Sequence, residues 1–229
     1  RRIRRTGNLP HRKCMDKVKE RLEELISRYP RLREQRDNIW RVYQIMAETF
    51  GAGGKLLVAG NGGSAADSEH LVGELMKGFV KTRKVPKEHA EAFCQVDPVM
   101  GEALSRSLQG ALPAISLVGH VGLSTAYLND CDPLLGFAQQ VYGFGQRGDV
   151  FLGISTSGNS KNILYALVAA KARGLKTIGL TGREGGKMKA LCDGVILAPE
   201  QETFKIQELH LPIYHTLCLM LEEGFFGND

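Results

Sequence analysis

The chain has 229 residues, 43% of them hydrophobic, enough apolar material for one sizeable core or at most two domains. Its net charge of +5 is concentrated at one end: residues 1–14, RRIRRTGNLPHRKC, carry six Lys/Arg and no acid, and the rest sets 24 basic against 25 acidic residues, a charge of −1. That balance argues against nucleic-acid binding by the body of the chain, and no run is apolar and long enough to cross a bilayer. No secretory signal is visible. Five scattered cysteines (Cys14, Cys94, Cys131, Cys192, Cys218) without a CxxC suggest reduced thiols and a cytoplasmic setting. Residues 1–14 are expected to be a disordered, vector-derived or upstream extension, with Met15 as the natural start. A nucleic-acid arm or a targeting sequence would have the same composition.

From Met15 to about Phe50 the pattern is helical, with Leu22, Leu25 and Ile26, then Ile39, Tyr43, Ile45 and Met46 at turn-like spacings, and Pro30 separating two helices. Short apolar segments then recur as KLLVAG, LPAISLVG, DVFLGIS, LKTIGLTG and DGVILAP. Helical stretches lie between most of them, which predicts an α/β fold with a doubly wound, five-stranded parallel sheet. The N-terminal helices would cover the sheet, and a last helix from about Glu202 to Glu223 would close it. Residues 80–110 interrupt the alternation with mixed charge, two prolines and a short helix near 99–108. They read as an insertion in a single domain spanning 15–229.

Two strand-to-helix turns carry the chemistry. After the first strand, AGNGGSAADSEH brings Gly60, Gly62 and Gly63 where backbone can approach a ligand, and puts Ser64 where a helix N-cap belongs. Amide groups at such a helix start form an anion site. The GxGxxG spacing of a dinucleotide loop is missing, as is an acidic residue after the next strand, so NAD is not expected. After the third strand, GISTSGNSKN supplies four hydroxyls in six positions, Ser155, Thr156, Ser157 and Ser160. With no Walker GxxxxGK[ST] pattern, hydroxyls and free amides suit a bound phosphomonoester better than a nucleoside triphosphate.

Four segments, GNGGSAADSEHLVGEL, GDVFLGISTSGNSKNILYAL, TIGLTGREGGKM and KIQELHLPIYH, together resemble the sugar isomerase (SIS) family, specifically its phosphoheptose isomerase branch. The resemblance covers roughly residues 35–225 and leaves 80–110 unmatched. It implies a flavodoxin-like SIS fold, a tetramer with zinc, and conversion of sedoheptulose 7-phosphate to D-glycero-D-manno-heptose 7-phosphate. It also implies phosphate contacts from Ser155, Thr156, Ser157 and Ser160. Sugar contacts would come from Asn61, Gly62, Gly63, Asn129 and Asp130, with Ser64 and Gln207 beside them. His70, Glu74, Gln207 and His215 take the metal positions, and Glu74 and His215 are also the catalytic pair.

The residues themselves support part of this. His70 and Glu74, four apart, share a helix face, although H-x-x-x-E alone usually marks a solvated pair. Gln207 and His215, eight apart, lie about 80° apart around an ideal helix and can still converge on one site. A lone His215 would more often be a core or interface residue. Nitrogen and carboxylate donors suit zinc; glutamine is an uncommon ligand.

Three positions depart from the family pattern. Gly78 replaces a frequent arginine, with Lys77, Lys81, Arg83 or Lys84 as substitutes. His120 replaces a common aspartate. Pro212 should kink the last helix between Gln207 and His215. The alternatives are a non-catalytic SIS protein of the replication-initiator-associating type, sensing a sugar phosphate or binding a partner, and an isomerase of another sugar phosphate. A homotetramer is further expected from the apolar last helix, whose Leu209, Ile213, Leu217, Leu219, Met220 and Leu221 one subunit would struggle to cover.

Overall fold

The computed structural model describes residues 12–227. Helices α1 (Arg12–Arg28) and α2 (Arg36–Gly51) are joined by a short 3₁₀ turn that starts at Pro30, whose fixed φ and missing N–H suit a first helical position. Val18, Leu22 and Leu25 on α1, and Ile39, Val42 and Met46 on α2, fall at helical spacing and are all buried. The first helix begins before Met15, with Cys14 buried. Residues 12–14 of the expected extension are thus helical and not disordered, and residues 1–11 lie outside the described residues.

Strands β1 (Leu56–Ala59), β2 (Ala114–Ser116), β3 (Val150–Ser155), β4 (Lys176–Gly182) and β5 (Gly194–Ala198) form one sheet in the order β2-β1-β3-β4-β5. Every pairing is parallel. Alternate side chains feed two cores. Leu56 and Val58 join Leu152, Ile154, Ile178 and Leu180 on the face packed by α1, α2, α3 (Gly63–Met76) and α9 (Thr203–Phe226). Leu57, Ala59 and Phe151 face the other way, against α7 (Gly136–Phe144) and α8 (Lys161–Ala172). With both faces covered, the strands read as continuous apolar runs. At the sheet margin, the Leu197 backbone N–H of β5 donates to Gln35 Oε1 at 2.9 Å.

Residues 80–110 hold two helices where one was expected, α4 (Lys87–Val96) and α5 (Pro98–Ser107). Asp97 caps the second by accepting from the Val99 and Met100 N–H groups at 3.0 and 2.8 Å, with Pro98 in the first turn. The two helices pack on each other and leave Val96, Val99 and Met100 exposed. Arg83, just before them, is fully buried. Its guanidinium donates to Glu222 at 2.8 Å and to the carbonyls of Leu75 and Glu74 at 2.7 and 2.9 Å. The last turn of α3 is thereby tied to α9.

Helix α9 runs unbroken through Pro212. The N–H that proline lacks would have bonded the Glu208 carbonyl, and Glu208 is exposed, so water can satisfy it. Of the α9 residues on which a tetramer was expected, Leu209, Ile213, Leu217, Met220 and Leu221 are buried within the chain and Leu219 is half-buried, while Phe204 and Leu211 of the same helix stay exposed. Exposed apolar side chains also lie on α6 (Val121–Asp130), with Val121, Leu123 and Leu128, and on α8, with Tyr165 and Val168.

Candidate active site

The strand order reverses between β1 and β3, so the loops after these two strands open side by side at the carboxyl edge of the sheet, where such folds leave a crevice. The two Gly- and Ser-rich turns are these loops.

After β3, Ser155 Oγ lies 2.9 Å from Ser160 Oγ, so Ser160 pairs with a neighbouring hydroxyl instead of capping α8. Ser157 Oγ accepts from the Asn159 N–H at 3.1 Å. Gly158 has φ +65, and a Cβ there would lie 2.2 Å from the Gly185 carbonyl oxygen, so only glycine fits. The loop is pinned from behind: Gly182 N–H donates to Thr156 O at 3.0 Å, Met188 N–H to Gly158 O at 3.0 Å, and Lys187 N–H to Asn159 Oδ1 at 3.0 Å. A cluster of hydroxyls thus sits on a braced loop at the start of α8, an arrangement suited to a phosphate.

After β1, the cap of α3 is Gly62, not Ser64; Ser64 is buried in the first turn. Asn61 and Asn162 exchange two amide hydrogen bonds, 3.0 and 2.8 Å, that bridge the two loops. A Cβ on Gly63 would lie 2.7 Å from Gln207 Nε2, so glycine lets the α9 amide approach the start of α3. Gly60, Asn61, Gly62 and Asn162 also line a cavity of about 350 Å³ that extends to Tyr127, Phe137 and Gln140. Asn129 and Asp130 are exposed at the end of α6, where Asn129 Nδ2 donates to Asp130 Oδ1 at 2.8 Å.

Where α3 crosses α9, His70 Nε2 lies 3.2 Å from Glu74 Oε1 and 3.3 Å from His215 Nε2. Tyr214, buried between the helices, places its hydroxyl 3.0 Å from His70 Nδ1 and 3.2 Å from Asp67 Oδ1. Burial, then neighbouring His70, hold His215 below its ordinary pKa, while Glu74 pulls the other way. Burial raises the Asp67 carboxyl, opposed by the Tyr214 hydroxyl and His70.

Lys77 is the substitute cation that meets this cluster, 3.5 Å from Glu74 Oε2. Lys81 pairs with Glu223 at 3.0 Å, and Arg83 is spent on the helix carbonyls. His120 caps no group with its side chain; its ring packs 5.4 Å from that of Phe144.

The donors here, two imidazoles and a carboxylate, are of the kinds that zinc takes. As they stand, among the described residues, no group of three or more His, Cys, Asp or Glu side chains is arranged to hold a metal ion, and Gln207 lies against Gly63 at the start of α3. His70 Nε2 is instead the hub of two contacts. Asp67 and Tyr214 were missed in the sequence, where each reads as an ordinary helix residue.

Comparison with known proteins bears on the family. A family model for the SIS domain matches residues 17–107 and 89–182, running through the 80–110 segment expected to stand outside the match. The phosphoheptose isomerase of a Nitratiruptor species is 39% identical over 217 residues, 95% of each chain. That of Aneurinibacillus thermoaerophilus is 39% identical over 181 residues, 79% of this chain and 78% of the relative. A solved phosphoheptose isomerase structure from Francisella tularensis aligns with a TM-score of 0.69 at 30% identity, covering 90% of this chain and 97% of the other. By loops, sheet order and relatives together, the chain belongs to the phosphoheptose isomerase branch of the SIS domain family.

Proposed function

We propose that this isomerase converts sedoheptulose 7-phosphate to D-glycero-D-manno-heptose 7-phosphate through an enediol. The observation that supports the reading is the gathering of Glu74 and His215 around His70 where α3 meets α9, in a chain whose hydroxyl loop follows β3 at the carboxyl edge of the sheet. Relatives named phosphoheptose isomerase support it across nearly the whole chain.

The reaction removes a proton from C1 of the ketose and returns it to C2, while a proton moves from O1 to O2. Glu74, with its side chain 13% exposed, is the carboxylate to carry the carbon-bound proton, since little bulk water reaches it to exchange that proton away. His215 would move protons among the oxygens and assist ring opening. Ser155, Thr156, Ser157 and Ser160 would hold the phosphate, and that anchor fixes C1 and C2 against Glu74. Asn61, Gly62, Gly63, Asn129 and Asp130 would bind the sugar. The Asn61–Asn162 pair gives up its reciprocal bonds when sugar hydroxyls take their place.

His70, Glu74, Gln207 and His215 would hold zinc. When bound, the ion supplies Lewis-acid polarisation of the carbonyl oxygen. A homotetramer is proposed with the exposed apolar residues of α6 and α8 as contact faces, and a cytoplasmic location follows from the reduced-thiol reading.

The test is incubation of the purified chain with sedoheptulose 7-phosphate, with and without added zinc, and NMR detection of the aldose product. Absence of conversion under both conditions overturns the reading.

A further inference from the structure

The Tyr214 hydroxyl has one proton and sits between two groups that both invite it. Asp67 Oδ1 is 3.2 Å away and His70 Nδ1 is 3.0 Å away. A carboxylate can only accept, so the phenol proton goes to Asp67. The phenol oxygen is then left to accept, and the hydrogen that fills it is the one on His70 Nδ1. Such a chain runs one way, Nδ1–H to Tyr214 to Asp67, and in the neutral ring it puts the lone pair on His70 Nε2, against the competing pull of the Glu74 carboxylate, which would accept a hydrogen from that nitrogen. That nitrogen is the atom facing Glu74 Oε1 and His215 Nε2 at 3.2 and 3.3 Å.

The packing prevents easy escape from this arrangement. Tyr214 is 1% exposed and stands edge-on to both imidazoles, 5.6 Å from the His70 ring and 5.0 Å from that of His215. Asp67 Oδ2 is buried and has no hydrogen-bond partner among the described residues, so the tyrosine is the donor this carboxylate holds. Asp67 and His70 are three apart on α3, while Tyr214 comes from α9, so the chain also fixes the two helices' register where they cross.

We infer that Tyr214 and Asp67 are positioning residues which lock His70 as its Nδ1–H tautomer and present the Nε2 lone pair to the reaction centre. The inference rests on the proposed site, where His70 is a zinc ligand. A ligating imidazole needs its other nitrogen hydrogen-bonded to fix tautomer and ring angle, and loss of such a partner costs about 10–100-fold in metal affinity or activity. Here the partner is a tyrosine that relays to a carboxylate.

The test uses the zinc-free full chain labelled with ¹⁵N-histidine. Long-range ¹H–¹⁵N spectra of the wild type should show His70 with a protonated Nδ1 and a bare Nε2. In Tyr214→Phe, which keeps the ring and removes the oxygen, the Nε2–H tautomer should rise. Asp67→Asn, whose amide can donate to the phenol and reverse the chain, should shift it the same way. Zinc affinity, measured with zinc ion alone against a chromophoric chelator, should fall about 10–100-fold in Tyr214→Phe. An Nε2–H tautomer for His70 in the wild type overturns the inference, whether or not either variant folds. So does a folded Tyr214→Phe protein with unchanged tautomer and zinc affinity. Because tautomer and zinc affinity are read without sugar, failure to isomerise sedoheptulose 7-phosphate would remove the proposed activity and leave this result standing.

Discussion

At the scale of single residues, Glu74 and the serine loop should separate cleanly. Glu74→Gln keeps size and polarity but cannot accept a proton from carbon, so kcat should fall about 10²–10⁴-fold with zinc saturating. Ser157→Ala should instead raise KM and leave kcat nearly unchanged, because it removes a hydroxyl from the phosphate loop and nothing from the proton path. Steady-state kinetics on both variants checks the split; a wild-type rate in folded, metal-loaded Glu74→Gln removes Glu74 as the shuttle.

A second residue-scale prediction concerns pH. His210 is buried, its Nε2 lies 3.2 Å from the Thr181 carbonyl oxygen, and burial pushes its pKa from 6.5 down to about 4, opposed by that bond. Above pH 6.5 neither folded nor unfolded chain protonates the ring. Between there and about pH 4 the unfolded chain takes the proton and the folded chain does not, so stability drops as pH falls. The loss is on the order of 3 kcal/mol over that window. Urea titrations from pH 7.5 to 4.5 should show the decline in the wild type and a flatter profile in His210→Leu. Sequence spacing put His70 and Glu74 on one helix face, and the family resemblance is what gave the pair a role. It could not reveal Tyr214, since an aromatic beside a buried leucine–isoleucine pattern reads as core until its hydroxyl is seen between two polar groups.

At the scale of elements, the last turn of α3 depends on a residue that follows it. Arg83 was a candidate to replace a missing substrate arginine, a reading that charge and proximity in sequence encouraged. Its burial and its two carbonyl bonds assign it to the helix end that carries Glu74. Arg83→Met should cost about 3–5 kcal/mol by urea unfolding, because it strands the buried Glu222 carboxylate without its cation. A loss below about 1 kcal/mol would mean that the Phe79 and Val80 amides, which also donate to Glu222 at 2.8 and 3.0 Å, satisfy it alone. The strands were readable from their apolar runs and bounding glycines. Helix α4 was not: KEHAEAFCQV is short, starts after Pro86 without a side-chain cap and has no fully buried residue in this chain. Helix α5 carried its signal in Asp97–Pro98, a cap followed by a first-turn proline.

At the scale of the whole molecule, much of the apolar surface of the C-terminal helix is covered by α1, α2 and α3 of the same chain. The proposed tetramer therefore places its contacts on α6 and α8. Light scattering at micromolar concentration should give four times the chain mass, and Leu123→Glu on α6 should lower it. A monomer mass for the unaltered chain would refute the assembly.

The margin of the sheet limits how such copies can join. Gln35 occupies the Leu197 amide on the outer side of β5, so that backbone group is not offered to an incoming strand. At the opposite margin, β2 is only three residues long. Short or blocked edges are the means by which open sheets escape endless edge-to-edge growth. At the β5 margin one backbone group is thereby closed to strand addition, and the side chain responsible lies in the turn between the first two helices, far along the sequence from the strand it guards.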